Sequence, residues 1–165
     1  MVQYNHLNYG RSLVNSMKLF AGHHHESFFQ SPNSDTLQAI SNRLSQIDYP
    51  VLVAIDGKDA DFTDNGAEVL LKKPQYFFMF LKPVADSENP EEIMAAQEEC
   101  ETYAGQAIAR MMEDCRNYTN GLTELDTNSF MVRSIGPLGD KLYGVILGFN
   151  TEAGAEYKIN NAFWV

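Results

Sequence analysis

The sequence predicts an α+β fold: a mostly antiparallel sheet of about five strands with helices packed on one face. Three observations lead to this prediction. Two apolar runs, at 51–55 and 76–81, are typical of buried central strands because they carry apolar residues on both faces. A long amphipathic pattern from about 90 to 119 is typical of one helix lying across a sheet. Further strand patterns follow that helix at 129–135 and 141–149.

Composition limits the class of protein. The chain has 165 residues, of which 44% are hydrophobic, so we expect a single domain over 1–165 with its own core. Its 22 acidic and 12 basic residues give a formal net charge of −10. This charge argues against sequence-specific nucleic-acid binding and against attraction to anionic membranes. No apolar stretch approaches the roughly 20 residues of a membrane span, so no membrane association is expected.

Two shorter helices are predicted before the first apolar strand. Within 4–21 the apolar residues follow helical spacing from Leu13 onward, with Asn5 or Asn8 as the cap. The second helix covers one face of the sheet, because its apolar residues recur at i, i+3, i+7 and i+10: Leu37, Ile40, Leu44 and Ile47.

The long helix carries the clearest local signals. Asn89 is a plausible cap, Pro90 occupies the first helical position, and Glu91-Glu92 place negative charge at the positive end of the helix dipole. Small and apolar residues repeat by three and four along one side, which favours packing on a sheet, although a coiled-coil partner is an alternative.

Both cysteines, Cys100 and Cys115, fall within the long helix. Fifteen residues of helix separate them by about 22 Å, well beyond the ~7 Å limit between the Cα atoms of a disulfide. We therefore expect free thiols in a reducing compartment. The polar first residues, 1–6, carry no signal-peptide pattern, so the prediction is a cytoplasmic protein or one that assembles from the cytoplasm.

The run His23-His24-His25 is a candidate metal site. Adjacent residues point in different directions, so at most His23 and His25 can share a metal ion. No acidic or sulfur partner sits at a ligand spacing, so a polar loop is the favoured interpretation, and a metal site or a pH-sensitive contact is the alternative.

The polar segment 57–66 resembles a calcium loop in composition only. A loop starting at Asp59 or at Asp61 lacks the required ligands at its later positions, including the glutamate at position 12. We expect an exposed connection between strands, followed by a strand at 68–73 that ends at Pro74.

No nucleophile-elbow, zinc-protease or phosphate-loop motif occurs in the chain. The prediction is therefore a protein that is not an enzyme, with no catalytic, cofactor-binding or metal-binding residues assigned and no cofactor.

The last part of the sequence predicts a hairpin. A turn at 150–154 joins the strand 141–149 to a partner strand at 155–159. Gly144 and Gly148 mark a bulge, a close backbone approach or ordinary packing. Phe163-Trp164 is either docked in the core or used as a contact with another subunit.

The order of elements resembles that of phage tail-terminator and tail-completion proteins. The strand 76–81, the helix 90–118 and the late sheet 130–149 carry this resemblance. The run 125–130 followed by Tyr143-Gly144 is similar to proteins of Bacteroidetes prophage-like elements. The resemblance implies a ring-forming structural subunit that binds copies of itself and other tail or neck proteins in a virion or phage-like particle.

Two other hypotheses stay open at this point. One is a small-ligand or metal-binding cytosolic domain that uses His23–His25 or the acidic segment 57–66. The other is a regulator whose helix stripe, 93–118, binds a partner helix, in which case Met111→Glu leaves a folded monomer.

Overall fold

A computed structural model describes residues 3–32, 37–56, 59–67, 69–155 and 160–164. These residues form three α-helices: α1 (His6–Ser16), α2 (Leu37–Leu44) and α3 (Pro90–Arg116). They also form seven strands: β1 (Phe28–Ser31), β2 (Val51–Ile55), β3 (Ala60–Asp64), β4 (Leu70–Pro83), β5 (Leu125–Leu138), β6 (Leu142–Thr151) and β7 (Ala153–Ala155).

The sheet is mixed and mostly antiparallel, which confirms the predicted α+β class. Its strand order is β1-β2-β4-β6-β5, with β3 and β7 paired to the first part of β4. Only β1 and β2 are parallel neighbours among the described strands. Strands β4 and β5 each run antiparallel to β6, which lies between them. The β4–α3–β5 connection is therefore a crossover between parallel strands that are not neighbours.

The expectation that all helices lie on one face is wrong. Helices α1 and α3 pack on one face of the sheet, against residues such as Leu52, Phe80 and Leu147. Helix α2 ends on the opposite face, where Leu44 packs with Val53. The central strands are apolar on both faces, so each face must be covered to remove it from water.

Helix α3 begins as the sequence predicts. The Asn89 side chain accepts a hydrogen bond from the Glu91 amide, and Pro90 starts the helix. The helix ends at Arg116 rather than near 119, because Tyr118 and Asn120 both adopt the left-handed conformation, each with φ of 55°. The side of α3 that faces the sheet is buried: Ala96, Cys100, Ala104, Ala107 and Met111. The stripe is core, so it does not support the partner-helix hypothesis.

Strand β4 runs through Pro74, where the sequence predicts an end. Proline has no amide donor, but the next amide, that of Gln75, donates to the Asp59 carbonyl at 2.9 Å. Pairing between β3 and β4 therefore continues across the proline. The segment predicted as an exposed connection at 57–66 is exposed at 61–64, but its conformation was predicted wrongly, because Ala60–Asp64 form β3. Residues 57 and 58 lie outside the described part.

The predicted terminal hairpin is also wrong where the structure describes it. Strand β7 keeps the direction of β6, because Asn150 pairs with Gln75 and Ala153 pairs with Lys72 in one antiparallel register. The chain does not reverse at 150–154, and β7 pairs with β4 rather than with β6. The rest of the predicted partner strand, 156–159, lies outside the described residues.

The two strand glycines have different roles. A Cβ at Gly144 would overlap the carbonyl oxygen of Phe80, so this position is a close backbone approach. A Cβ at Gly148 would lie 2.9 Å from the Phe77 ring and from the Met131 side chain, so this glycine provides room for side-chain packing.

Candidate interaction surface

The least covered part of the sheet is a three-stranded extension, which we call the arm: β3, residues 70–74 of β4, and β7. The later part of β4 pairs with β2 and β6 in the core. No residue of the arm is buried, and 61–64 are all exposed. The arm therefore extends the middle of the sheet beyond the layers that cover it.

One face of the arm is mostly polar, and its charged side chains contact residues beside the arm. The Lys73 ammonium lies 3.1 Å from the Glu152 carboxylate, and the Gln75 amide donates to the Asp61 carboxylate at 3.1 Å. Because side chains alternate along a strand, Thr63 and its cross-strand partner Leu71 share this face, and Leu71 is its one large apolar residue.

The other face is mostly apolar. Cross-strand register places six apolar residues together with two charged ones, Lys72 and Asp64. We call this set the apolar arm face, and its apolar members are Ala60, Phe62, Leu70, Pro74, Ala153 and Ala155. Phe62 is 49% exposed and Leu70 is 41% exposed. Lys72 lies in the middle of the face, opposite Phe62 and Ala153. Large exposed apolar residues grouped on one surface are typical of interaction sites.

A groove with a volume of about 360 Å³ lies at the base of the arm, and we call it the base groove. Its floor is the continuation of the apolar arm face: Lys72, Pro74, Tyr76, Thr151 and Ala153. Its walls come from the start of the chain and from the segment after α3: Gln3, Tyr4, Gly121, Thr123 and Glu124. Among the described residues, Lys72 has no carboxylate at ion-pair distance.

The walls of the base groove are fixed to the fold. Gly121 has a φ of 72°, and a Cβ there would overlap the backbone of Tyr4, so the two walls touch. The amide of Glu152 donates to the Glu124 carbonyl at 2.8 Å, which joins one wall to the arm. The base groove is therefore preformed.

A buried histidine, His6, holds the N-terminal wall in place. Its Nε2–H donates to the Phe77 carbonyl at 2.9 Å, so its Nδ1 accepts from the Tyr4 hydroxyl at 2.8 Å. Its ring stacks on Phe78 with 4.1 Å between ring centroids. Burial lowers the pKa of His6 to about 4, so the ring is neutral at pH 7. Nothing in the sequence pattern marked this histidine, because an isolated polar residue near a helix start is usually exposed.

A buried carboxylate, Asp114, joins α1 to α3. The Tyr9 hydroxyl donates to it at 2.7 Å and the Thr119 hydroxyl at 2.9 Å, while Arg110 lies 3.6 Å away. Burial raises the pKa of Asp114, but hydrogen bonds from Tyr9, Asn120 and Thr119, together with Arg110, outweigh this and hold the pKa below its ordinary value. Because its oxygens are bonded within the chain, Asp114 acts as a structural clamp.

Tyr9→Phe is expected to destabilise the protein by about 1–3 kcal/mol, since it removes a buried hydrogen bond to a charged group. The measurement is urea unfolding at pH 7. Tyr103→Phe is a matched control, because the Tyr103 hydroxyl has no hydrogen-bond partner among the described residues; its effect should stay within about 0.5 kcal/mol. Equal effects from both variants would contradict the clamp.

The three histidines of the run His23–His25 have different surroundings and do not converge on one point. The His23 ring stacks on Tyr49 with 4.4 Å between centroids, His24 Nδ1–H donates to the Val14 carbonyl at 2.7 Å, and His25 is exposed. The described residues contain no group of three or more His, Cys, Asp or Glu side chains placed to hold a metal ion. The geometry therefore does not favour this run as a site.

The acidic segment and the cysteines also have structural roles. Asp64 accepts a hydrogen bond from the Gly66 amide, so it closes the turn after β3. Cys100 and Cys115 are free thiols, as predicted. Burial, with a smaller contribution from Glu99, raises the pKa of Cys100 to about 12, so its thiol is protonated and unreactive.

Within the described ranges, no helix is both long and apolar enough to cross a membrane. Compared with known proteins, the chain matches no family model and no curated protein.

Proposed function

We propose that this protein is a non-enzymatic structural subunit that assembles with copies of itself, as a ring-forming tail-terminator type of component in a phage or phage-like tail or neck. The observation that carries the proposal is the partial exposure of Phe62 and Leu70 on the apolar arm face. The resemblance in element order supplies the class of assembly, and the preformed base groove supplies a second contact surface.

The amphipathic character of the arm supports self-assembly. On the mostly polar face, Lys73 and Asp61 contact Glu152 and Gln75 beside the arm. On the other face, Phe62 is 49% exposed and Leu70 is 41% exposed. Burying apolar area stabilises association by about 25 cal/mol per Å², so this face gains free energy when a partner covers it. The outer edge of β3 pairs with no other described strand, so it offers backbone hydrogen bonds to the same partner.

The net negative charge of the chain is consistent with a ring whose surface does not bind DNA. A formal charge of −10 on each copy repels DNA, which a tail or neck ring must let pass. It also makes copies repel one another, so contact through an apolar face should strengthen as salt screens the repulsion.

The double variant Phe62→Thr/Leu70→Thr tests the arm. Threonine keeps strand propensity while removing the exposed apolar area, so the fold should be retained and association lost. Light scattering across a concentration series at low and high salt measures the molar mass, and circular dichroism measures the fold. The wild type is expected to exceed 18.6 kDa, and the variant to stay at that mass.

Thr63→Lys is the matched control, because it places a larger change on the polar face of the same strand and should leave the molar mass unchanged. A double variant that associates as strongly as the wild type does would contradict the role of the arm.

A further inference from the structure

An aromatic pair remains exposed close to the end of the sequence. Phe163 is 83% exposed and Trp164 is 70% exposed. Phe163 ends a short 3-10 helix, Asn161–Phe163, and Trp164 follows it directly. The start of this helix is fixed by the Asn160 side chain, which accepts a hydrogen bond from the Ala162 amide at 3.0 Å. We call residues 160–164 the tail segment. It presents two large apolar side chains in a defined turn without packing them on the described part of its own chain.

We propose that the tail segment of one copy docks in the base groove of a neighbouring copy, with Trp164 as the anchor. This inference rests on the proposed function, because it names the contact through which copies of the chain associate.

The chemistry of the groove suits an aromatic side chain. Lys72 is an ammonium group without an ion-pair partner among the described residues, and a cation is attracted to the face of an indole ring. Pro74 and Ala153 offer apolar contact, and the Glu124 carboxylate is an acceptor for the indole N–H. The volume of about 360 Å³ is near the lower limit for a ligand pocket, which fits one or two side chains rather than a folded domain.

The distribution of charge favours a second copy of the chain as the molecule whose tail segment occupies the base groove. The tail segment, Asn160-Asn161-Ala162-Phe163-Trp164, carries no charged side chain, whereas the whole chain carries −10. A neutral segment can reach the neighbouring copy without adding to the repulsion between copies, and its indole complements the Lys72 cation.

The contact joins two different surfaces, so it is head-to-tail. Such contacts close into rings when the rotation between copies allows it. Two aromatic side chains bury about 150–250 Å² each, which is less than a standard interface side of about 800 Å². A single contact is therefore weak, and ring closure together with the apolar arm face adds the remaining affinity.

Trp164 is the only tryptophan in the sequence, so its fluorescence reports on this one position. The experiment follows the emission wavelength and the molar mass of the full chain from about 1 μM to about 1 mM. The expected result is a shift to shorter wavelength that follows the rise in mass. Trp164→Ala, at an exposed position, should stay folded and raise the dissociation constant at least about tenfold.

Lys72→Gln and Lys73→Gln form a matched pair on opposite faces of the arm. The loss of a cation–indole contact should raise the dissociation constant about three- to tenfold for Lys72→Gln. The Lys73→Gln substitution should leave the dissociation constant unaltered.

Four results would overturn the inference. Emission that stays unchanged while mass rises, or a Trp164→Ala variant that associates like the wild type, would leave the proposed homo-oligomer standing without this contact. A short-wavelength emission that does not depend on concentration would place the tail segment in the groove of its own chain. A chain that is monomeric at every concentration would overturn both this inference and the proposed homo-oligomer.

Discussion

Replacing Met111 by glutamate is expected to unfold the protein at neutral pH. Met111 is fully buried between α3 and the sheet, in the same cluster as Phe80 and Leu147. A carboxylate there would lose its hydration without gaining a partner, and such substitutions cost more than about 4 kcal/mol. Because domains are stable by only about 5–15 kcal/mol, most of the stability is lost. Circular dichroism and urea unfolding measure the effect.

Gln106→Glu is the matched control, because it adds the same charge on the exposed side of α3, four residues before Arg110. Its effect should stay within about 0.5 kcal/mol. If Met111→Glu instead gave a folded protein of lower molar mass, the buried stripe of α3 would be an interface with another copy, as the regulator hypothesis requires.

Acidification from pH 6.5 to about 4 is expected to remove about 3 kcal/mol of stability through His6. Its pKa is near 6.5 in the unfolded chain and is lowered to about 4 by burial in the folded state. Above pH 6.5 the ring is neutral in both states, so its contribution to stability is complete. Below pH 6.5 the unfolded chain binds a proton that the folded chain cannot bind, and stability falls by about 1.4 kcal/mol per pH unit until the folded pKa is reached.

The measurement is the free energy of unfolding at a series of pH values between 7 and 4. His6→Gln should lower stability at pH 7 but flatten the pH dependence, since glutamine does not titrate. His25→Gln, at an exposed position, should leave the slope as in the wild type. If the free energy of unfolding of His6→Gln depends on pH as steeply as that of the wild type, His6 is not the group responsible. The Asp114 contribution lies at lower pH, because its folded pKa is depressed below the ordinary carboxyl value.

Local signals were enough to predict the elements that form the core. Asn89 and Pro90 define the start of α3 through backbone hydrogen bonding and fixed φ, which depend on neighbouring residues only. The apolar run Val51–Ile55 predicted a central strand because both of its faces had to be buried. The same run also required helices on both faces, a consequence that the sequence prediction did not include.

The arm could not be predicted from local patterns. Strand β3 contains Asp61 and Asp64, and its apolar alternation consists only of Ala60 and Phe62, which is too short to mark a strand. Its extended conformation comes from pairing with β4, a partner set by register rather than by composition. The direction of β7 is fixed in the same way by Lys72 and Leu70, so the turn-like residues before it did not produce a hairpin.

The candidate surface was predicted only in part. The sequence left open whether Phe163-Trp164 is core or interface, and the structure exposes both side chains. Adjacent histidines drew attention to His23–His25, whereas the histidine with a defined buried environment is His6. That distinction depends on the Phe77 carbonyl and the Phe78 ring, which lie far away in sequence.

Native mass spectrometry of the full chain tests the central claim most directly, because it separates a closed ring from a monomer and from an open series of oligomers. We predict one dominant assembly at a fixed multiple of 18.6 kDa, since head-to-tail contacts that close leave no free surface for further growth. Phe62→Thr/Leu70→Thr should shift the signal to 18.6 kDa. A wild-type spectrum with only the 18.6 kDa species, at concentrations where the protein is folded, would contradict the claim that the chain is a ring-forming subunit.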